Sequence, residues 1–188
     1  MTLPGLLEEI VRSLDAAGIP HMVTGSLAST LHGEPRATQD IDLVIDPRPE
    51  NLARFVADLD RARFYVGDAG GALRRRDQFN VIDVTTGWKV DLIIRKERPF
   101  SQAEFGRRQP TSILGVPTAV ATVEDTVLAK LEWAKAGDSD RQRRDVVGML
   151  TIQQTTIDIA YLRQWAEILG VSEELDAAWR AAQGDAGG

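Results

Sequence analysis

Apolar residues at helical spacing open the chain and return in its last third. Between Leu3 and Leu14 they recur at intervals of three and four, and Gly18 ends the pattern. This spacing predicts an amphipathic N-terminal helix. From Thr122 onward the pattern is helical again, and it predicts four helices, at about 123–136, 141–150, 157–169 and 173–182.

Between these two regions, short β-rich runs alternate with turn residues. The pattern predicts strands at 19–24, 41–45, 64–66, 79–84, 88–95, 112–114 and 118–121, and helices at 27–31 and 50–59. Thr85-Thr86-Gly87 and Gly115-Val116-Pro117 are typical of hairpin turns, whereas 67–77 is typical of a polar connection. We therefore predict an α/β (α+β) fold with a mixed sheet flanked by helices. The predicted core covers 1–121, and a helical region at 122–188 packs on it to form a single compact unit.

Composition narrows the possible chemistry. The 188 residues include 43% hydrophobic residues and no cysteine, which excludes disulfides, zinc–thiolate sites and thiol nucleophiles. The first residues lack the basic leader of a signal peptide, and no apolar run reaches the length of a membrane span. We expect a cytoplasmic protein that does not enter a membrane. The oligomeric state is left open by the sequence.

The charge distribution bears on nucleic-acid binding. A net charge of −6 disfavours tight, non-specific binding of nucleic acid over the whole surface. Three local arginine clusters remain, and each is either solvated surface or a substrate contact: Arg74-Arg75-Arg76, Arg107-Arg108, and Arg141 with Arg143-Arg144.

Two aspartates on one predicted strand are the first candidate for catalytic chemistry. Side chains alternate along a strand, so Asp40 and Asp42 point the same way while Ile41 and Leu43 face the core. Two adjacent carboxylates repel each other unless a cation lies between them, and Mg²⁺ prefers oxygen ligands. The alternative is a pair of solvated aspartates at the start of a strand.

Two further features surround this pair. Gly25-Ser26 follows one predicted strand and precedes a helix, where free backbone N–H groups suit a phosphate; the alternative is a simple turn with Ser26 as N-cap. Asp91 lies in a strand whose apolar residues face the other way, and it either completes a metal site or faces water. Three carboxylates on neighbouring strands can hold two Mg²⁺ ions about 3.5–4 Å apart.

The order Gly-Ser, short helix, Arg-x-Thr-x-Asp-x-Asp and later strand aspartate resembles the nucleotidyltransferases of the DNA polymerase β superfamily. Over residues 20–150 its layout is similar to the small bacterial group that includes the AbiEii and MenT toxins. The resemblance implies that Asp40, Asp42 and Asp91 are catalytic metal ligands for Mg²⁺, which Mn²⁺ can replace. It also implies that Gly25 and Ser26 bind the β- and γ-phosphates.

The same resemblance extends to four other positions. Arg36 and Thr38 recur just ahead of the aspartates, where they orient Asp40, touch phosphate or shape the turn. Lys130 and Asp145 match a lysine and an aspartate on successive helices of the AbiEii-like group, and imply contacts to the nucleotide. Lys130 also falls at the edge of an apolar helical stripe, so it needs an anionic partner or a route to water. The alternative for both is a structural ion pair.

These features predict an enzyme that moves an NMP unit from a nucleoside triphosphate to an acceptor hydroxyl. The acceptor is tRNA, a partner protein or a small molecule, and the resemblance implies a possible place in a toxin–antitoxin pair. Two alternatives remain. One is an inactive nucleotide-binding or partner-binding module with the same fold; the other is a structural protein whose helices mediate dimerisation.

Overall fold

The computed structural model describes residues 2–35, 37–38, 40–137 and 139–185. Strands of the described chain are β1 (His21–Thr24), β2 (Asp40–Ile45), β3 (Phe64–Val66), β4 (Gln78–Asp83), β5 (Lys89–Ile94), β6 (Gln109–Ile113) and β7 (Val116–Val120). Its helices are α1 (Leu3–Ala17), α2 (Gly25–His32), α3 (Pro49–Asp58), α4 (Ala69–Arg75), α5 (Pro99–Gly106), α6 (Val123–Gly137), α7 (Asp140–Ile152), α8 (Ile159–Leu169) and α9 (Ser172–Asp185). None of the helices within these ranges is both long and apolar enough to span a bilayer.

The strands form one mixed sheet with the order β3-β4-β5-β2-β1-β7-β6. The pairs β2–β5 and β1–β7 are parallel, and the other neighbours are antiparallel. The predicted mixed α/β fold, with helices flanking the sheet and following it, is thus confirmed. Strand β2, which carries two of the candidate carboxylates, lies at the centre of the sheet.

Alternation of side chains sets which face of the central strands is buried. On β2 and β5 one face consists of fully buried aliphatic residues, and these are Ile41, Leu43, Ile45, Val90, Leu92 and Ile94. Burying a large aliphatic side chain contributes about 1.5–3 kcal/mol. The polar residues of the same strands are thereby forced onto the opposite face.

The β4–β5 turn is held by a buried carboxylate. Asp83, which is 0% exposed, accepts hydrogen bonds from the Thr85 hydroxyl at 2.6 Å and from Arg63 Nη2 at 3.1 Å. Arg63 also pairs with Glu9 of α1 at 2.8 Å. Hydrogen bonding by Thr85 and the guanidinium of Arg63 lower the pKa of Asp83 to about 2.

Three details of the sequence prediction are wrong. The stretch 67–77 contains α4, whose two glycines weaken the helical pattern; the Asp68 side chain caps this helix by accepting the Gly71 N–H at 2.8 Å. Helix α5, which begins with Pro99, has no predicted counterpart. The β6–β7 turn lies at Leu114-Gly115, so Val116 and Pro117 belong to β7 and not to the turn.

The chain divides into two compact units. The first comprises Met1–Leu27 and Ala37–Val120 and contains the whole sheet; the second comprises Ala28–Arg36 and Ala121–Gly188 and contains α6 to α9. Within the second unit, α6 packs on α7, α8 and α9. That the core and the helical region form a single compact unit stays a prediction.

Candidate functional site

The candidate carboxylates lie side by side on two neighbouring strands. The parallel register of β2 and β5 pairs Asp42 with Asp91 and Asp40 with Lys89. Residues paired in register point to the same side of a sheet, and neighbouring strands lie about 4.8 Å apart. Asp91 is only 9% exposed, whereas the side chain of Asp40 is 53% exposed. The sheet therefore places all three carboxylates on one face. Asp42 is the neighbour of both others, because Asp40 lies two residues before it on β2 and Asp91 is paired with it on β5.

The Gly25-Ser26 turn, which forms the start of α2, approaches the carboxylate of Asp42. It directly follows Thr24, whose partner in the antiparallel β1–β2 register is Asp42. The backbone N–H of Ser26 donates to Asp42 Oδ2 at 3.4 Å. Gly25 has a φ of +60°, and a Cβ at this position would lie 2.0 Å from Asp42 Oδ2. Glycine is required here because any side chain would collide with the carboxylate that the turn contacts.

Lys89 is a member of the site that the sequence analysis missed. Its Nζ lies 2.8 Å from Asp91 Oδ2 and 3.9 Å from Asp40 Oδ1. The hydrogen bond to Asp91 raises the pKa of the Lys89 ammonium group above its usual value. Sequence spacing contained a signal for this contact, because Lys89 precedes Asp91 by two residues and so shares its face of β5.

The donor set can be compared with what Mg²⁺ requires. Oxygen donors from three carboxylates suit this hard cation, and the Lys89 ammonium already serves as a cation between Asp40 and Asp91. Within the described ranges, no three acidic or histidine side chains converge closely enough to hold a metal as they stand. The oxygen chemistry of the three carboxylates suits the ion, but their arrangement in this structure does not surround one and Asp91 pairs with Lys89, so Mg²⁺ binding stays a prediction.

Lys130 and Asp145 lie in the helical unit and form an ion pair with each other. Lys130 Nζ on α6 contacts Asp145 Oδ2 on α7 at 2.8 Å and Gln142 Oε1 at 2.7 Å. Lys130 is 4% exposed, so its charge is compensated inside the unit. Their contacts to a nucleotide stay a prediction. Arg36, the other predicted nucleotide ligand, lies outside the described residues.

Arginines from two of the three clusters have acidic neighbours on their own unit. Arg75 lies 3.7 Å from Asp68, and Arg143 lies 3.0 Å from Asp140. Arg76 pairs with Glu97. Surface pairs of this kind contribute about 0–1 kcal/mol, and contacts of these arginines to a substrate stay a prediction.

Comparisons with known proteins bear on the fold. No protein-family model matches the sequence, and no curated protein matches it. Solved structures do match. An antigenic nucleotidyltransferase-like protein from Paracoccidioides brasiliensis is 16% identical with a TM-score of 0.56, and the alignment covers 95% of this chain and 92% of that one.

Two antibiotic-modifying proteins match comparably. The lincosamide antibiotic adenylyltransferase LnuA is 12% identical with a TM-score of 0.54, over 81% of this chain and 98% of its own. The antibiotic-resistance factor ANT(2'')-Ia is 16% identical with a TM-score of 0.53, over 97% and 91%. The specific kinship to AbiEii and MenT toxins stays a prediction. At the level that these similarities support, the chain has the fold of the nucleotidyltransferases.

Proposed function

We propose that this protein is a magnesium-dependent nucleotidyltransferase, which moves an NMP unit from an NTP to an acceptor hydroxyl. The observation that carries the proposal is the register of β2 and β5, which aligns Asp42 with Asp91 beside the Gly25-Ser26 turn. Fold neighbours support it by their names, since LnuA is an adenylyltransferase and ANT(2'')-Ia has been captured with adenylyl-2''-tobramycin.

The site residues would hold the metal, contact the triphosphate and accept a proton in the proposed reaction. Asp40, Asp42 and Asp91 would hold Mg²⁺, which when bound neutralises phosphate charge and orients the triphosphate. Backbone N–H groups at Gly25-Ser26 contact the β- and γ-phosphates, for which the Ser26 N–H exchanges Asp42 Oδ2 for a phosphate oxygen. The acceptor oxygen forms a bond to the α-phosphorus as the bond from that phosphorus to the bridging oxygen breaks. Pyrophosphate leaves with the electron pair, and Asp91 accepts the proton of the hydroxyl.

Loss of both β2 carboxylates tests this function. We expect Asp40→Asn with Asp42→Asn to abolish NMP transfer and to leave the fold intact, because asparagine has the size of aspartate and both positions face away from the aliphatic core. Transfer is measured with radiolabelled NTPs and Mg²⁺ on tRNA, lysate protein and antibiotics, and thermal unfolding reports the fold. The double variant Asp58→Asn with Asp77→Asn is the matched control, since it changes the same charge at exposed positions of the sheet unit. Undiminished transfer by the β2 variant overturns the proposal.

The Lys89 contact favours a second candidate, an inactive nucleotide-binding module. A protein cation that stays between Asp40 and Asp91 would take the place that Mg²⁺ needs. Calorimetric titration with NTP, with and without Mg²⁺, distinguishes the two functions. The enzyme binds NTP in a Mg²⁺-dependent way and turns it over, whereas the module binds without turnover. A role in a toxin–antitoxin pair belongs to the proposal only through the sequence resemblance.

A further inference from the structure

The face of the sheet that carries the carboxylates continues across β4 to the edge strand β3. The β4–β5 register pairs Asn80 with Asp91 and Ile82 with Lys89, and the β3–β4 register pairs Tyr65 with Ile82. Paired residues share a face, so Tyr65, Ile82 and Asn80 lie on the same side as the carboxylates. Tyr65 is 58% exposed, and Asn80 and Ile82 are partly exposed.

The direction of the proposed reaction assigns this surface to one substrate. The phosphate-binding turn Gly25-Ser26 follows β1, which is the neighbour of β2 on one side, whereas Asp91 on β5 lies on the other side. In an in-line displacement the attacking and leaving oxygens lie on opposite sides of the phosphorus. With pyrophosphate held on the β1 side, the acceptor hydroxyl has to approach from the β5 side. The rest of the acceptor then lies over β4 and β3.

The side chains of this surface specify the chemistry of the acceptor. Tyr65 and Ile82 offer an exposed ring and an aliphatic side chain, and Asn80 offers an amide in register with Asp91. An aromatic face stacks on another ring, and an amide donates to and accepts from hydroxyl groups. Strand β4 lies next to β5, and β3 lies about 9.6 Å from β5. One or two rings fill this span.

The charge of this surface bears on whether the acceptor is a small molecule or a polynucleotide. Two rows of paired residues cross this face. One consists of Tyr65, Ile82, Lys89 and Asp40, and the other consists of Asn80, Asp91 and Asp42. Among these described residues, Lys89 supplies the single positive charge, against three carboxylates. With Mg²⁺ on the three carboxylates, a phosphate backbone approaching over β4 would still find no cation of β3 or β4 in these rows to neutralise it. A neutral or positively charged acceptor needs no such cation.

We propose that the exposed face of β3 and β4, formed by Tyr65, Ile82 and Asn80, is the acceptor subsite for a neutral or cationic molecule with a hydroxylated ring, such as a sugar. The inference rests on the proposed function. Tyr65 stacks on the ring, Asn80 hydrogen-bonds a hydroxyl group, and the reacting hydroxyl lies beside Asp91.

Variants of the subsite test the inference by their effect on the two substrates separately. Tobramycin, lincomycin and tRNA serve as probe acceptors, with labelled NTPs and Mg²⁺. We expect label on the ring compounds. Tyr65→Ala should then raise the KM of the acceptor by about tenfold, as expected for loss of one stacked ring, and leave the KM of the NTP within about twofold. Asn80→Ala should raise the KM of the acceptor and not that of the NTP.

Two control variants isolate the stacking contribution. Tyr65→Phe keeps the ring and should retain the KM of the acceptor, whereas Trp133→Ala removes an aromatic side chain that is 62% exposed in the helical unit and should change neither KM. An unchanged acceptor KM in Tyr65→Ala and Asn80→Ala overturns the inference. Label on tRNA alone also overturns it.

A binding measurement covers the case in which no probe is labelled. Saturation-transfer NMR detects the ring compounds on wild-type protein with Mg²⁺ and a non-hydrolysable NTP, and we expect the signal to be lost in Tyr65→Ala. Absence of a signal with wild-type protein overturns the acceptor subsite. Failure of the proposed function has a different signature, because NTP binding then shows no dependence on Mg²⁺.

Discussion

Replacing Gly25 by alanine tests the link between the phosphate-binding turn and the metal site. The new Cβ would lie 2.0 Å from Asp42 Oδ2 and 2.6 Å from its Cγ, so the carboxylate has to move by an ångström or more. A displacement of about 1 Å in a reacting group can reduce the rate about 100-fold. The positive φ of Gly25 adds backbone strain of about 1–2 kcal/mol for any L-residue.

Gly115→Ala is the matched control, because it separates strain from collision. Gly115 has a φ of +83°, and its Cβ would meet no atom within 4 Å. Both variants should lose stability in urea unfolding, and Gly25→Ala should lose more because its collision with Asp42 adds to the backbone strain. Only Gly25→Ala should weaken Mg²⁺-dependent NTP binding, measured by calorimetry, and reduce transfer by about 100-fold. NTP binding and transfer within twofold of the Gly115→Ala values refute the reasoning.

Three further outcomes follow from the charged groups. Asp145→Ala should cost about 3–5 kcal/mol in urea unfolding because it removes the counter-ion of the buried Lys130 ammonium. The double change Lys130→Met with Asp145→Leu should cost less than the single one. A single cost below about 1 kcal/mol contradicts the buried pair. The pKa of Asp83 is about 2 in the folded protein, below the usual 3.8 of an aspartate. Its contribution of about 2 kcal/mol is therefore present at neutral pH and is lost as pH falls from about 4 to 2. Asp83→Asn should therefore be less stable at pH 7 and show a flatter pH dependence below pH 4, and parallel curves contradict this. Lys89→Met should bind Mg²⁺ several times more tightly in calorimetry because the competing ammonium is removed, and weaker binding contradicts the competition.

The alternation of apolar residues within β5 explains why the face of Asp91 was predictable and its pairing with Asp42 was not. Apolar residues at alternate positions of β5 fix the parity of the strand, and parity places Asp91 away from the core. The parallel pairing of β5 with β2 is a contact between residues 49 positions apart for Asp42 and Asp91, and no periodicity within one strand specifies it. The sequence therefore predicts which way each carboxylate faces, while the order of the strands determines that Asp42 and Asp91 lie side by side.

The remaining discrepancies have local causes. Helix α4 begins after Asp68 with Ala-Gly-Gly, which has a low helical propensity, and its capping hydrogen bond is visible only in the folded chain. The ion pair of Lys130 and Asp145 was one of two interpretations that the sequence allowed, and the structure shows that pair. Lys89 was overlooked although parity alone places it on the face of Asp91.

The pairing of Asp42 with Asp91 also determines which length changes the chain can tolerate. Deleting one residue from β5 ahead of Asp91 would turn its aliphatic side chains outward and its charged ones into the core, so the protein should not fold. Deleting two would keep the alternation and the core but shift Asp91 by about 6.6 Å along the strand, which should give a folded and inactive protein. Extra residues in the turn at 85–87 alter neither relation. The protein should therefore fold only with even-numbered deletions in β5, and it should tolerate insertions of any number of residues in the turn.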